Sequence, residues 1–156
     1  MQAKNNILEL LTPKAIKVIQ LARAEAQRLN LPSVEPAHLF IGLIEEGTTT
    51  AAKALRIQGV SLKQAREEAR NISGHREQRS DSIPLSKRSQ QLIEQACARK
   101  QTAQDQTDTT DLLVALIHSE DSQPADESIL KRLALNKTTL LEALASAKNN
   151  EERNLE

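Results

Sequence analysis

The chain has 156 residues, 38% of them hydrophobic and 27% charged. It is long enough to bury a core and too apolar for disorder, and its longest apolar runs, 39–44 and 112–117, are far too short to span a bilayer. Twenty-one basic side chains balance 21 acidic ones, and a single aromatic residue, Phe40, is present. The chain therefore lacks both the basic excess that neutralises phosphates and a stacking platform for bases, which excludes nucleic acid as the main partner. One cysteine, Cys97, permits no internal disulfide and fits a reducing compartment. Residues 1–6 are polar and unlike a signal peptide. The expectation is a cytoplasmic protein with no membrane partner.

The periodicity is helical throughout. After a short extension over 1–10, Thr12 before Pro13 predicts a helix start, a hydroxyl cap with proline at the first helical position. Ala15, Ile19, Ala22, Ala26 and Leu29 then form one apolar stripe, and the stretch 30–34 with Pro32 stops the helix. Pro36 opens a second helix, whose Leu39, Phe40, Leu43 and Ile44 point inward before Gly47 closes it. A short third helix spans about 51–58 and ends at Gly59. Ser61 with Gln64 reads as a capping box that starts a fourth helix, running to about Ile72.

The same order follows again. Ser86 caps a helix carrying Leu92, Ile93 and Ala96. The run 111–117 answers 38–44, with Ala115 in place of Gly42, and Ile129 and Leu130 answer Ala54 and Leu55. Asn136 caps a last helix with Leu140, Leu141 and Leu144. A four-helix unit repeats at a period of roughly 73–75 residues. The predicted fold is an all-α, eight-helix domain of two pseudo-symmetric four-helix repeats, at 11–73 and 85–147. A polar connector over 74–84 joins them, 101–108 is a second loose segment, and a charged, frayed tail covers 148–156.

Leu-Thr-Pro-Lys-Ala at 11–15, Ala-Arg-Ala-Glu-Ala-Gln-Arg-Leu at 22–29, His-Leu-Phe-Ile-Gly-Leu-Ile-Glu-Glu-Gly at 38–47 and Ala-Ala-Lys-Ala-Leu at 51–55 resemble the Clp amino-terminal repeat. That domain precedes the ATPase rings of chaperones such as ClpA, ClpB and ClpC. The resemblance covers about 10–147, specific in the first repeat and carried mainly by element order in the second. It implies a non-catalytic module whose partners are adaptor or substrate proteins, Clp ATPases or Clp protease core subunits, with no cofactor. No Gly-x-x-x-x-Gly-Lys-[Ser/Thr] loop cradles phosphates here, and only four glycines occur in all, so this chain carries no ATPase. Two origins fit: an excised N-terminal domain of a Clp ATPase, or a free-standing relative like the plant ClpT proteins, which the drift of the second repeat favours. In some ClpC relatives a Gly-Thr-Glu-His turn in each repeat supplies a glutamate for phosphoarginine-tagged substrates. Here Glu35-Pro36-Ala37-His38 puts Ala37 at that position, and Thr109-Thr110-Asp111 puts Thr110 there. Neither side chain can pair bidentately with a guanidinium, and Glu35, two positions away, is expected to point elsewhere.

The remaining chemistry-bearing residues have plainer readings. His38, His75 and His118 lack ligand spacing, with each other or with Cys97, so no metal site is predicted. His38 reads as a hydrogen-bonding residue at a helix start, and Cys97 as a small, half-buried apolar residue. The neighbouring acids Glu45-Glu46, Glu67-Glu68 and Asp126-Glu127 fan out around helices rather than converging, which leaves no paired carboxylates for catalysis. Thr12 and Ser86 occupy equivalent helix starts followed by Lys14 and by Lys87 and Arg88. Amide donors there could take an anion, but ordinary capping is the better reading. The candidate protein-binding residues are therefore Thr12, Lys14, Glu35, Ala37, His38, Ser86, Lys87, Arg88, Thr110 and Asp111. Two further readings remain: a small enzyme of unknown chemistry, and a structural protein that oligomerises through its Leu-rich second repeat.

Overall fold

A computed structural model describes residues 9–73, 83–99 and 105–155. Most of the predicted extension, nearly all of the connector with His75, and the first part of the 101–108 segment lie outside these residues. Among the described residues there are eight helices: α1 (Pro13–Arg28), α2 (Pro36–Glu46), α3 (Thr50–Ile57), α4 (Leu62–Ser73), α5 (Lys87–Ala98), α6 (Thr109–Asp121), α7 (Ile129–Arg132) and α8 (Lys137–Leu155). Short polar side chains start them as the sequence indicates. Thr12 Oγ1 accepts the Ala15 amide at 3.2 Å and Ser86 Oγ that of Ser89 at 3.1 Å. Asn136 Oδ1 accepts the Thr139 amide at 3.0 Å. Ser61 Oγ accepts the Gln64 amide at 3.1 Å, while the Gln64 side chain meets the Ser61 hydroxyl.

Three helices end on the same device, in which a residue with positive φ turns the chain so that its own amide and the next reach back to the last carbonyls. Asn30 (φ 55), Gly59 (φ 81) and Ala134 (φ 58) hold that position. The amides of Gly59 and Val60 donate to Arg56 and Leu55, and those of Ala134 and Leu135 donate to Lys131 and Leu130.

Helices α2 and α6 form the centre. Residues 36–43 of α2 and 111–117 of α6 are buried, so these stretches are enclosed on all sides. Gly42 explains how closely α1 lies on α2: a Cβ there would sit 2.5 Å from the Val18 carbonyl oxygen. All five residues of the predicted α1 stripe are buried, as are Leu92, Ile93, Ile129, Leu130, Leu140 and Leu144.

The repeats interlock about a pseudo-two-fold. α3 packs against α8, and α7 packs against α4, so the third helix of each repeat rests on the fourth helix of the other. Two short parallel bridges obey the same symmetry, Leu11 with Thr107 and Val34 with Leu85. The Thr12 amide donates to the Thr107 carbonyl at 2.9 Å, and its counterpart at Ser86 donates to the Val34 carbonyl at 3.0 Å. In return, Thr107 donates to Leu10 and Val34 donates to Pro84.

Two sequence expectations change. Residues 107 and 108 are fixed rather than loose: Thr107 is 1% exposed and bonded on both sides, and Asp108 caps α6. Beyond 148 the chain is helical, because α8 continues to Leu155. No glycine or proline interrupts that stretch, and Lys148, Glu151, Glu152 and Arg153 favour the helix.

Candidate interaction site

The predicted candidates separate into helix-start groups and a cleft. At the helix starts the polar capacity is largely spent inside the fold. Thr12 and Ser86 cap their own helices, and their amides cross to the other repeat. Lys14 reaches Glu46 at 3.1 Å and the Thr48 hydroxyl. Burial raises the Glu46 carboxyl, but the hydrogen bonds from Thr48 and Lys14 outweigh that and hold it below the ordinary range. Arg88, in the equivalent first turn of α5, donates to Glu120 at 2.8 Å. Lys87 is exposed and makes no ion pair among the described residues. Lys87 apart, an anion site at these starts has little to offer, because caps and ion pairs already occupy the donors.

Thr110 is half-buried one residue before Asp111, which is 5% exposed. Asp111 accepts the Asp108 amide at 3.0 Å and lies 3.3 Å from Arg99 Nε. His38 is its counterpart. The ring is fully buried and its Nδ1 accepts the Glu35 amide at 2.9 Å. A ring that accepts at Nδ1 while neutral carries its proton on Nε2. That Nε2 is buried with no hydrogen-bond partner among the described residues. Burial lowers the His38 pKa, against the opposing pull of Glu35 and Glu25.

Glu35, Ala37 and Arg88 do come together, in an open cleft of about 290 Å³ between the repeats. Leu31, Pro32, Pro36 and Ile72 supply apolar wall, and Ser33 and Glu127 complete it. Glu35 was expected to point away from the Ala37 position. It lines the same cleft instead, with its carboxylate accepting from Ser33 Oγ at 2.7 Å. Glu127 is exposed and makes no ion pair among the described residues. Two acidic groups beside apolar wall suit a peptide segment with cationic and apolar side chains.

Sequence reasoning missed two buried acids. Glu25 is held by Arg28 and by Arg66 at 3.1 Å. Glu120 accepts from Arg88 and from the Ile129 amide at 2.8 Å. Each lies on the inner face of its helix, Glu25 three residues after Ala22 and Glu120 four after Leu116, and that spacing was the available signal. The paired acids diverge as expected: Glu46 turns to Lys14 and Glu45 to Arg66. Cys97 is half-buried and His118 exposed. Among the described residues no group of three or more His, Cys, Asp or Glu could hold a metal, and no helix is long and apolar enough to cross a membrane.

An interlocked double repeat of four helices, with an inter-repeat cleft, defines the class of protein. Residues 10–133 match the family described as the Clp repeat (R) N-terminal domain, and the chain belongs to that family. It is 37% identical over 134 residues to an ATP-dependent Clp protease ATP-binding subunit ClpA homolog of Guillardia theta, which covers 85% of this chain but 16% of that protein. It is 48% identical over 69 residues to the chloroplastic chaperone protein ClpC2 of Oryza sativa subsp. japonica, 44% of this chain and 8% of that one. The chain thus spans about a sixth or less of the length of these relatives. Its fold is shared with the crystal structure of the N-terminal domain of the Arabidopsis thaliana chaperone ClpD, at a TM-score of 0.70 and 23% identity, covering 90% of this chain and 96% of that one. A complex of the ClpV N-domain with a VipB peptide is similar at a TM-score of 0.67 and 14% identity, covering 90% and 88%.

Proposed function

We propose that the chain is a non-catalytic protein-interaction module of the Clp chaperone–protease system, docking adaptor or substrate proteins, or Clp subunits, at the inter-repeat cleft. The observation that carries this reading is the cleft, where the apolar side chains of Leu31, Pro32, Pro36 and Ile72 lie beside Glu35 and the exposed Glu127. The ClpV N-domain, of the same fold, is seen in complex with a peptide, which supports peptide docking as what this architecture does. Phosphoarginine recognition falls outside the reading, because Ala37 and Thr110 offer no carboxylate. A reducing aqueous compartment, the cytoplasm or the chloroplast interior of several relatives, goes with it. Oligomerisation through the second repeat is disfavoured by the burial of Leu112, Leu113, Leu116, Leu130, Leu140 and Leu144.

The test is capture of purified Clp ATPase and Clp protease subunits on the immobilised chain. Glu127→Lys, at an exposed position on the cleft, should weaken capture, and Leu43→Asp, which unfolds the core, should abolish it. No capture by the wild-type chain, or equal capture by the unfolded variant, overturns the reading.

A further inference from the structure

On the outer side of α4, away from the functional candidates, a second surface is built around a buried acid. Lys63, Arg66, Glu67 and Arg70 recur at three- and four-residue spacing and share one helical face. With Arg28 from the end of α1 they line an open depression of about 440 Å³, whose apolar contribution is Leu62. The side chain of Glu25, 2% exposed, lies behind it. Glu25 binds Arg28 and, through its other oxygen, Arg66 Nε at 3.1 Å. Arg66 Nη2 also meets Glu45 at 3.2 Å.

This arrangement does two things. The Glu25 charge is spent on the two guanidiniums, which are thereby fixed in place while Arg28 stays 48% and Arg66 33% exposed. Lys63 and Arg70 are exposed and make no ion pair among the described residues, so their charge faces solvent with only Glu67 between them. A guanidinium already oriented by one carboxylate loses less freedom on meeting a second. Fixed and unpaired cations around a leucine match a ligand with carboxylates at helical spacing and an apolar residue among them.

We infer that the α1–α4 depression is a second docking surface, and that its occupant is an acidic peptide segment of a partner protein. Glu25 is a positioning residue there. Arg28, Lys63, Arg66 and Arg70 make the contacts. This surface is separate from the inter-repeat cleft and is tested without any Clp subunit, so its failure and that of the cleft reading are distinct results.

The probe is a fluorescein-labelled dodecapeptide of four Glu-Glu-Leu units, titrated with the chain and followed by anisotropy. Its control carries Gln in place of Glu. Saturable binding in the micromolar range is expected, weakened by salt at about 0.5 M. Binding should fall at least tenfold in the Lys63→Glu/Arg70→Glu variant, whose exposed, unpaired positions leave the fold intact. Amide shifts in a nitrogen-15 spectrum should fall on Arg28 and on 62–70. Glu25→Gln should weaken peptide binding while a circular dichroism spectrum shows the helices retained; should that variant unfold, the double surface variant decides alone. Absence of saturation at about 1 mM chain, equal binding of the Gln peptide, no effect of the double variant, or tighter binding of polyuridylate than of the acidic peptide overturns the inference.

Discussion

The two repeats solve the same packing problem with different residues. In the first, α2 meets α1 through Gly42, whose missing Cβ lets the Val18 carbonyl approach; in the second, Ala115 stands there and is 3% exposed. At the start of the central helix the first repeat uses His38 to hold the N-cap amide, and the second uses Asp111. Where the third helix ends, the first repeat places Gly59 at positive φ and the second Ala134. The third helix itself is eight residues in one repeat and four in the other. What persists is the geometry of contact across the pseudo-two-fold, which teaches that the interlocked pairing of helices is the unit of this fold and that individual residues are exchangeable around it.

The largest expected effect breaks the comparison outright. A chain of residues 9–73 contains α3 and α4 without α8 and α7, their partners in the other repeat. It should show no cooperative thermal transition by circular dichroism, whereas 9–155 should melt cooperatively. A half-chain that melts like the whole would mean the repeats fold separately.

Leu43 and Leu116 occupy matching positions in α2 and α6 and are both fully buried. Leu43→Ala and Leu116→Ala should each cost about 2–5 kcal/mol by leaving a cavity. Denaturant melts should show the two costs to be similar, and a large inequality would mark one repeat as the dominant core.

Gly42 and Ala115 should separate the repeats. Gly42→Ala forces α1 away from α2 and should cost about 1–3 kcal/mol, as overpacking does. Ala115→Gly should cost only about 1 kcal/mol, the helix penalty of glycine. Equal effects in denaturant melts would show that close approach is not peculiar to the first repeat.

The turn after the third helix gives a change of sign. Ala134 holds φ 58, a region that penalises a Cβ, so Ala134→Gly should stabilise by about 0.5–1 kcal/mol. Gly59→Ala should destabilise by about 1 kcal/mol. Opposite shifts in melting temperature check this pair.

The smallest expected effect concerns pH. Burial lowers the His38 pKa below that of the unfolded chain, so above about 6.5 both states are neutral and the contribution is intact. As pH falls through that value the unfolded chain takes up the proton first, and stability declines. His38→Asn, a neutral acceptor for the Glu35 amide, should flatten this slope between about pH 7.5 and 5.5. An unchanged slope in denaturant melts would assign the pH response to other groups.

Much of this architecture was legible in the chain. Thr12, Ser61, Ser86 and Asn136 are short acceptors placed before apolar stripes, and each caps a helix in the structure. Gly47 and Gly59 mark stops because glycine alone enters the left-handed region without penalty. Ala134 carries no such mark; its positive φ goes with the amides of Ala134 and Leu135 reaching back to Lys131 and Leu130 at the end of α7. Thr107 read as loop because its neighbours are polar, yet it is buried and bonded to the other repeat. The cleft was legible only in part. Glu35, Ala37 and Arg88 could be named from helix starts, but Ile72 and Glu127 belong to elements distant in the chain and join them through folding.

The sequence by itself determined which segments are helices, which face of each is apolar, where most of them start and that the unit occurs twice. These follow from side-chain period, cap chemistry and the allowed regions of backbone space, all of which act over a few residues. Only the tertiary structure decided that α3 rests on α8 and α7 on α4, that Glu25 and Glu120 lie buried against arginines, and that the His38 ring lies in the core with no partner for its Nε2 among the described residues. Those outcomes depend on desolvation and charge pairing between residues far apart in the chain, and these act only once packing has brought the groups together.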